Sequence, residues 1–364
     1  MTGRCLYTGQ EAARMEGMPQ TDTEWMLKAV ELSRKGVGTT SPNPPVGAVI
    51  VKDGSIIGEG WHEKAGEAHA ERRAIADALA KGQGGHLPGS TIYVTLEPCS
   101  SHGKTPPCTA AIIEHGISRV VYGMVDPDAR HRGKADAILK AAGIEVQGGL
   151  CAEECREVLR PWLFATEHGR PWVVAKVAST LDAKMVRQSE RWISDPEALK
   201  HAHQLRLESD AILVGGETVR RDNPALTIRT PLTAPSERKE QPWRIVMTRH
   251  RADLPAGATL FTDEHSARTL VLENVEDYPA MLQRLYAEHG IITLMLECGG
   301  NLLREFLDRG LVNEWVQDIA PILSGGAAQV VPGNFLACEL HLERTTFTQA
   351  GKDLIIRGIL PLDD

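Results

Sequence analysis

The sequence has no apolar run of the roughly 18 residues that a membrane helix needs, so no membrane span is expected. It has no basic excess: 40 Lys and Arg stand against 48 Asp and Glu, a formal charge of −8. That balance argues against bulk affinity for a nucleic-acid backbone. Cysteine is sparse and odd in number, seven in 364 residues, which is unlike a secreted disulfide framework. A reducing, cytoplasmic setting is expected, and clustered cysteines are to be read first as metal ligands. Residues 1–22 have no apolar stretch of the kind a secretory signal carries and read as a polar N-terminal extension. There is no repeat with a period of 20 to 50 residues and no low-complexity tract. What remains, 42% hydrophobic and 24% charged, is ordinary globular composition, in a length that suits two domains.

Strand and helix signals alternate along the chain. Apolar spacing predicts a helix over Glu24–Lys35, and the runs Val46–Val51 and Ser55–Gly60, joined at Asp53-Gly54, predict a hairpin. The Ala-rich stretch Glu67–Leu79 reads as helix, Thr91–Leu96 as a buried strand, and Thr109–His115 as a helix closed by Gly116. Strand, helix and strand follow over Arg119–Val125, Ala135–Ala142 and Ile144–Val146. These define an α/β domain over 23–150 and a linker helix over 151–170, on which Cys151 and Cys155 share a face and read as packing residues. A second α/β domain covers 171–364, with strands at Trp172–Ala178, Ala211–Val214, Trp243–Met247, Thr269–Val271, Thr293–Glu297 and Glu314–Ala320. Its helices are Pro196–Glu208 and Asn301–Arg309, and Thr230–Gln241 reads as a surface loop.

The sharpest chemical signal joins His69-Ala70-Glu71, Glu97-Pro98-Cys99 and Pro106-Pro107-Cys108. One imidazole and two thiolates are borderline or soft ligands. Three protein ligands leave a fourth tetrahedral position for water, which separates a catalytic zinc from a closed structural one. His-x-Glu with Pro-Cys-x-x-Cys is a signature of zinc deaminases. Here eight residues separate Cys99 from Cys108, so a loop is inserted between them. Pro106-Pro107 suit the first turn of a helix, and a helix N-terminus favours thiolates. Glu71, two residues beyond His69 on the expected helix, is placed to take the proton of a water whose pKa zinc lowers toward about 7 and to hand it to a leaving amine. The competing reading is a structural zinc, or none, with Glu71 a surface charge.

Polar residues gather at the neighbouring strand ends: Asn43 in Ser41-Pro42-Asn43-Pro44, His62 after Gly60-Trp61, Lys104 in the inserted loop, and Asp126 and Asp128 around Pro127. Each alone reads as a cap or turn. Together, flanking one metal, they read as a ligand-facing set, with Lys104 suited to a phosphate and the two aspartates to ring NH or amine groups. In the second half, Glu297-Cys298-Gly299-Gly300-Asn301 follows a strand and opens a helix, a place where free N–H groups favour phosphate. Leu213-Val214-Gly215-Gly216-Glu217-Thr218 repeats the pattern. Arg206 and Arg229 suit either a sugar-phosphate clamp or surface ion pairs.

These motifs resemble those of the bifunctional riboflavin-biosynthesis deaminase/reductases. Thr40-Ser41-Pro42-Asn43-Pro44, Gly60-Trp61-His62, His69-Ala70-Glu71 and Glu97-Pro98-Cys99 through Gly103-Lys104-Thr105-Pro106-Pro107-Cys108 are similar to the deaminase motifs, over about Thr23 to Gly149. Lys176-Val177-Ala178-Ser179-Thr180-Leu181-Asp182, Trp192-Ile193-Ser194, Thr218-Val219 with Asp222-Asn223-Pro224, and Glu297 with Gly299-Gly300 are similar to the reductase motifs. The resemblance implies a cytidine-deaminase-like three-layer domain holding Zn2+, followed by a dihydrofolate-reductase-like domain using NADPH. It implies His69, Cys99 and Cys108 as zinc ligands, Glu71 as the catalytic residue, and Asn43, His62, Lys104, Asp126 and Asp128 as contacts to a phosphorylated diaminopyrimidine. It implies Ala178, Trp192, Thr218, Asp222, Gly299, Gly300 and Asn301 at the cofactor, and Arg206, Leu226, Arg229 and Glu297 at the ribose phosphate. The expected reduction is hydride delivery to C1′ of the opened ribosylamine, in which the protein positions and polarises.

Several positions depart from the family pattern: Ser101 for a usual His, Asp128 for Asn, Arg72-Arg73 for Val-His, Ala183 for Gly, and Glu190 where a substrate-binding Ser is expected. None is a zinc ligand. The expectation is therefore a bifunctional enzyme catalysing two consecutive steps of riboflavin synthesis. A diverged paralogue with a weak or lost reductase is the alternative, and a nucleic-acid-editing deaminase or non-catalytic zinc scaffold is opposed by the acidic balance. A homo-oligomer is expected, with Trp315 and its apolar neighbours read as core and a partner-facing role as the alternative.

Overall fold

The computed structural model describes residues 21–101, 106–128, 132–185, 193–229, 240–325, 336 and 338–361. Contacts divide the chain into two units. The first takes in the chain up to Lys35 and Pro45–Val158; the second takes in Gly36–Pro44 and everything from Leu159 on.

In the first unit, helix α1 (Asp22–Arg34) opens with a reciprocal cap. The Thr21 N–H donates to Glu24 Oε2 at 2.8 Å, and Thr21 Oγ1 accepts from the Glu24 N–H, so two otherwise orphaned donors are satisfied. Strands β1 (Gly47–Lys52) and β2 (Ser55–Trp61) form the expected hairpin, its turn made by Asp53 and Gly54 at positive φ. Helix α2 spans Ala70–Ala80, β3 Thr91–Leu96, α3 Cys108–Glu114, β4 Arg119–Met124, α4 Lys134–Ala141, β5 Glu145–Gly148, and α5 begins at Ala152. The sheet order is β2-β1-β3-β4-β5. β1 is antiparallel to its neighbours, and β3, β4 and β5 are parallel.

Both faces of this sheet are covered, giving three layers. Ala48, Ile50, Ile92, Val94 and Val120 pack with Ala74 and Ala78 of α2, Ile112 of α3 and Leu139 of α4. Each fully buried Val, Ile or Leu side chain among them contributes about 1.5–3 kcal/mol. The opposite face takes α1 against Gly47 and α5 against Gly123. Close approach explains two glycines of β2: a Cβ at Gly58 or Gly60 would collide with the backbone of α2 at Ala74 and Ala70.

The second unit has β6 (Trp172–Thr180), α6 (Pro196–Glu208), β7 (Ala211–Gly215), α7 (Gly216–Asp222), β8 (Trp243–Thr248), α8 (Thr259–Thr262), β9 (Thr269–Glu273), α9 (Tyr278–His289), β10 (Thr293–Leu296), α10 (Gly300–Asp308), β11 (Glu314–Ala320), β12 (Glu343–Ala350) and β13 (Asp353–Ile359). They build an eight-stranded sheet ordered β12-β13-β11-β6-β10-β7-β8-β9, in which β13 runs antiparallel to both its neighbours, β11 and β12, and the other pairs are parallel. The segment Gly36–Pro44 groups with this unit. There Ser41 Oγ donates to Asp210 Oδ2 at 3.0 Å, and the same oxygen accepts the N–H groups of Ile292 and Thr293.

Three sequence expectations need correction. Helix α2 begins at Ala70, not Glu67, because the backbone at His69 is extended, with ψ 164°. Pro107 caps α3 and does not lie in its first turn. Cys151 stands before α5, at φ 52°, so it does not share a helical face with Cys155, whose sulfur packs against Gly123. Helix α9 and the hairpin β12–β13 were not legible in the apolar pattern; all of β12 but its last residue is exposed.

Candidate active site

The metal triad is assembled from three element ends in the first unit. Strand β3 delivers Glu97-Pro98-Cys99, Cys108 is the first residue of α3, and His69 is the residue before α2. His69 Nδ1 lies 3.5 Å from the sulfur of Cys99 and 3.5 Å from that of Cys108. The three donor atoms all fall within 4.8 Å of one another. The Cys108 N–H donates to Cys99 Sγ at 3.2 Å, so the start of α3 supports the charge on that sulfur.

Hydrogen bonding from Cys108 draws the Cys99 thiol down to about 4. The same bond, with burial, pushes Cys108 well above the usual thiol range. A divalent cation at this point would hold both sulfurs as thiolates. One nitrogen and two sulfurs in reach of a single point suit zinc, with a position left for water. Hydrogen bonding to Cys99 raises the His69 pKa despite burial.

Glu71 is only 3% exposed. Burial raises its pKa, and the negative charge of Cys99 adds to the effect. A carboxyl lifted in this way is suited to both accepting and donating a proton. His62 is buried, its ring edge-on to that of His69 with centroids 5.3 Å apart. Its Nδ1 is 3.1 Å from Ala68 O, and a carbonyl only accepts, so Nδ1 carries the proton. Burial lowers the His62 pKa, which keeps the ring neutral.

Asp126 is buried and Asp128 half-buried; the Asp128 N–H donates to Asp126 Oδ1 at 2.9 Å. Asn43 lies in the segment that groups with the second unit, its N–H donating to Thr40 O. Lys104 lies outside the described residues. The roles of three residues were missed in the sequence. Arg72 donates to Pro106 O at 3.3 Å, while Arg73 pairs with Glu63 at 2.7 Å and Glu67 at 2.6 Å. Glu97, quoted as part of a motif without a role, is buried and accepts from three backbone N–H groups. An acidic residue closing an apolar strand was the available signal.

In the second unit a cavity of about 1200 Å³ is lined by Gly215, Thr218, Thr248, Gly299 and Asn301, among others. Both Gly-Gly turns meet there, and its size suits a dinucleotide. Gly300 is buried behind it as the first residue of α10. Ala178 lies on β6 and Asp222 ends α7, paired with Arg221; neither lines this cavity. Trp192 and Glu190 lie outside the described residues. Arg206 and Glu297 meet, but as partners: Nε to Oε1 is 2.6 Å and Nη2 to Oε2 is 2.7 Å, with Nη1 donating to Thr227 O. Most of the Arg206 donors are thus committed within the protein. Burial works against ionising Glu297, yet the Arg206 charge and hydrogen bonds bring its pKa below the usual value. Arg229 is exposed. The Leu226 side chain packs in a core with Ile212, Val214 and Val246, so that side chain is not presented to a ligand.

Residues 19–124 match the cytidine and deoxycytidylate deaminase zinc-binding region, and residues 171–356 match the RibD C-terminal domain. The riboflavin biosynthesis protein RibD of Aquifex aeolicus (strain VF5) is 38% identical over 361 residues, covering 93% of this chain and 98% of that one. The protein of the same name from Escherichia coli (strain K12) is 38% identical over 335 residues, covering 85% and 90%. The solved structure of Acinetobacter baumannii RibD, form 1, aligns with a TM-score of 0.84 at 34% identity, over 93% of this chain and 99% of that one. A diaminohydroxyphosphoribosylaminopyrimidine deaminase/5-amino-6-(5-phosphoribosylamino)uracil reductase from Thermotoga maritima aligns with a TM-score of 0.80 at 35% identity, over 93% and 98%.

Fold and site together define a zinc-dependent, cytidine-deaminase-like domain joined to an NADPH-dependent, dihydrofolate-reductase-like domain. The relatives cover both halves, which disfavours a paralogue that has lost the second activity. The chain belongs to the RibD family, the bifunctional deaminase/reductases of riboflavin biosynthesis.

Proposed function

We propose that the first unit deaminates 2,5-diamino-6-ribosylamino-4(3H)-pyrimidinone 5′-phosphate and that the second reduces the ribosyl group of the product to ribityl. The observation that carries this reading is the convergence of His69, Cys99 and Cys108 within 4.8 Å, beside a buried Glu71. Zinc held by these three side chains supplies the Lewis acidity that makes water a nucleophile near neutral pH. Glu71 takes a proton from the attacking water and delivers it to the departing amine, so that a C–O bond forms, a C–N bond breaks and ammonia leaves. His62, neutral with its proton on Nδ1 directed at Ala68 O, presents Nε2 to the base as an acceptor; Asp126 and Asp128 accept from ring NH or amine groups, and Lys104 meets the phosphate.

In the second unit, NADPH supplies the reducing equivalent. Thr218, Gly299 and Asn301 line the cavity that would hold it, and Gly300 opens the helix beside them. Arg229 serves the ribose phosphate, while Arg206, held by Glu297, shapes its surroundings. A homo-oligomer is supported by β12, an exposed edge strand bearing Phe347 at 66% exposure, along which a second copy could pair. A cytoplasmic setting suits the reduced thiolates of the metal triad.

The test is mass spectrometry of products from the diaminopyrimidine substrate, with and without NADPH. Deaminated product alone without the cofactor, and the ribityl compound with it, are expected. No ammonia release together with no NADPH oxidation would sink the assignment.

A further inference from the structure

We propose that Glu97 is a positioning residue for the deaminase. It ties the strand end that delivers Cys99 to the loop that carries Asp126 and Asp128, and so sets where the substrate base lies relative to the metal triad.

Glu97 is 3% exposed. A carboxylate taken out of water needs its lone pairs satisfied, or burial carries a large penalty. Here backbone amides satisfy them. Oε2 accepts from the Asp126 N–H at 3.2 Å and from the Gly133 N–H at 3.0 Å, and Oε1 accepts from the Ala135 N–H at 3.2 Å. The Glu97 N–H in turn donates to Met124 O at 2.7 Å, the last residue of β4. One residue therefore holds the connection between β4 and α4 at both ends: at Asp126, where it leaves the sheet, and at Gly133 and Ala135, where it enters the helix. The negative charge also sits at the start of α4, where unsatisfied N–H groups favour an anion.

The grip is passed on. Asp126, fixed through its own N–H by Glu97, accepts the Asp128 N–H on Oδ1 at 2.9 Å, so the orientation of both aspartates follows from one carboxylate. Two residues further along from Glu97 is Cys99. A shift of Glu97 moves the aspartates relative to the triad without removing any group that binds metal. Contacts displaced together weaken the hold on the base; a 10-fold weaker hold corresponds to about 1.4 kcal/mol, the scale of one hydrogen bond. The proposal rests on the reading of Asp126 and Asp128 as substrate contacts.

The test compares Glu97→Gln, Glu97→Asp and Asp128→Ala in the zinc-loaded, full-length chain. Glu97→Gln keeps the volume but weakens the acceptor set, and is expected to raise KM for deamination by about 10-fold with kcat nearly unchanged. Zinc content and NADPH oxidation on pre-deaminated substrate are expected to stay at the parent level. Hydrogen exchange in a peptide covering 124–136 is expected to speed up in Glu97→Gln, and Glu97→Asp to lie between the two. Unchanged exchange there would overturn the clamp, as would loss of zinc from the variant. Faster exchange with unchanged KM, where Asp128→Ala does raise KM, would overturn the positioning role. Unchanged KM in Asp128→Ala itself would instead overturn the reading of the loop as a substrate contact.

Discussion

Arg72 reaches from α2 to the carbonyl of Pro106, with its Nε 3.3 Å from that oxygen and Nη2 3.5 Å from the carbonyl of Pro107. The helix that starts beside one metal ligand, His69, thus holds the turn that delivers another, Cys108. Arg73, next to it, ties the same helix to Glu63 and Glu67, in the loop that leads to His69. Residues that orient ligands without touching the metal typically affect its affinity by about 10- to 100-fold. Arg72→Ala is therefore expected to lose zinc about 10-fold faster to a chelator, with NADPH oxidation unchanged. A release rate equal to that of the parent would show that the turn holds itself.

Glu71 is expected to act on protons and not on metal. In Glu71→Gln, zinc content should persist while deamination falls by about 10²-fold or more. NADPH oxidation should survive when pre-deaminated substrate is supplied. Retained deamination in the metal-loaded variant would remove Glu71 as the shuttle.

Ala183 sits at φ 58°, in the left-handed region, beside Thr180 and Asp182. A Cβ there costs about 1 kcal/mol relative to glycine, although glycine returns part of this through the unfolded chain's entropy. Ala183→Gly is expected to raise the stability of the second unit by up to about 1 kcal/mol, read from urea unfolding. A destabilised variant would mean that the methyl group packs more than it strains.

Arg244 has no exposed side-chain surface and pairs with Asp263 through two bonds, Nη1 to Oδ2 at 2.6 Å and Nη2 to Oδ1 at 2.8 Å. Further donors reach Ala225 O, Leu260 O and Thr269 Oγ1. Removing the acid leaves a buried cation without its counter-ion, so Asp263→Asn is expected to cost about 3 kcal/mol. The Arg244 hydrogen bonds hold the Asp263 carboxyl below its ordinary value. Its contribution is therefore complete above the unfolded pKa of about 3.9 and is lost as pH falls through the lower folded value. Acid unfolding monitored by circular dichroism should show less pH dependence below about pH 4 in the variant than in the parent. Equal acid profiles would show that the pair contributes nothing to acid stability.

Strand Thr91–Leu96 was legible to the residue because a strand buried on both faces loses polar alternation: Ile92, Tyr93, Val94 and Leu96 are all buried. The zinc triad was legible because ligand chemistry limits which residue types serve. The start of α2 was not, since alanine favours helix on both sides of His69, and the extended backbone there answers to tertiary contacts. Strand β12 carries no alternation, because neither of its faces is buried. The Glu97 clamp joins groups 29, 36 and 38 residues apart, and no local period encodes such a pairing. The sequence likewise offered Arg206 as a phosphate clamp. Only its bidentate bond to Glu297, 91 residues away, shows how its donors are committed.

The stretch Gly36–Pro44 groups with the later part of the chain although residues of the earlier part flank it on both sides. A single cut therefore cannot yield two tidy halves. A gene truncated after Val158 would leave nine residues stranded without the neighbours they pack on, and the complementary fragment would lack the partner that Ser41 provides to Asp210. Anyone wishing to harvest either catalyst alone would have to graft that short insert across, or keep the two activities in one polypeptide.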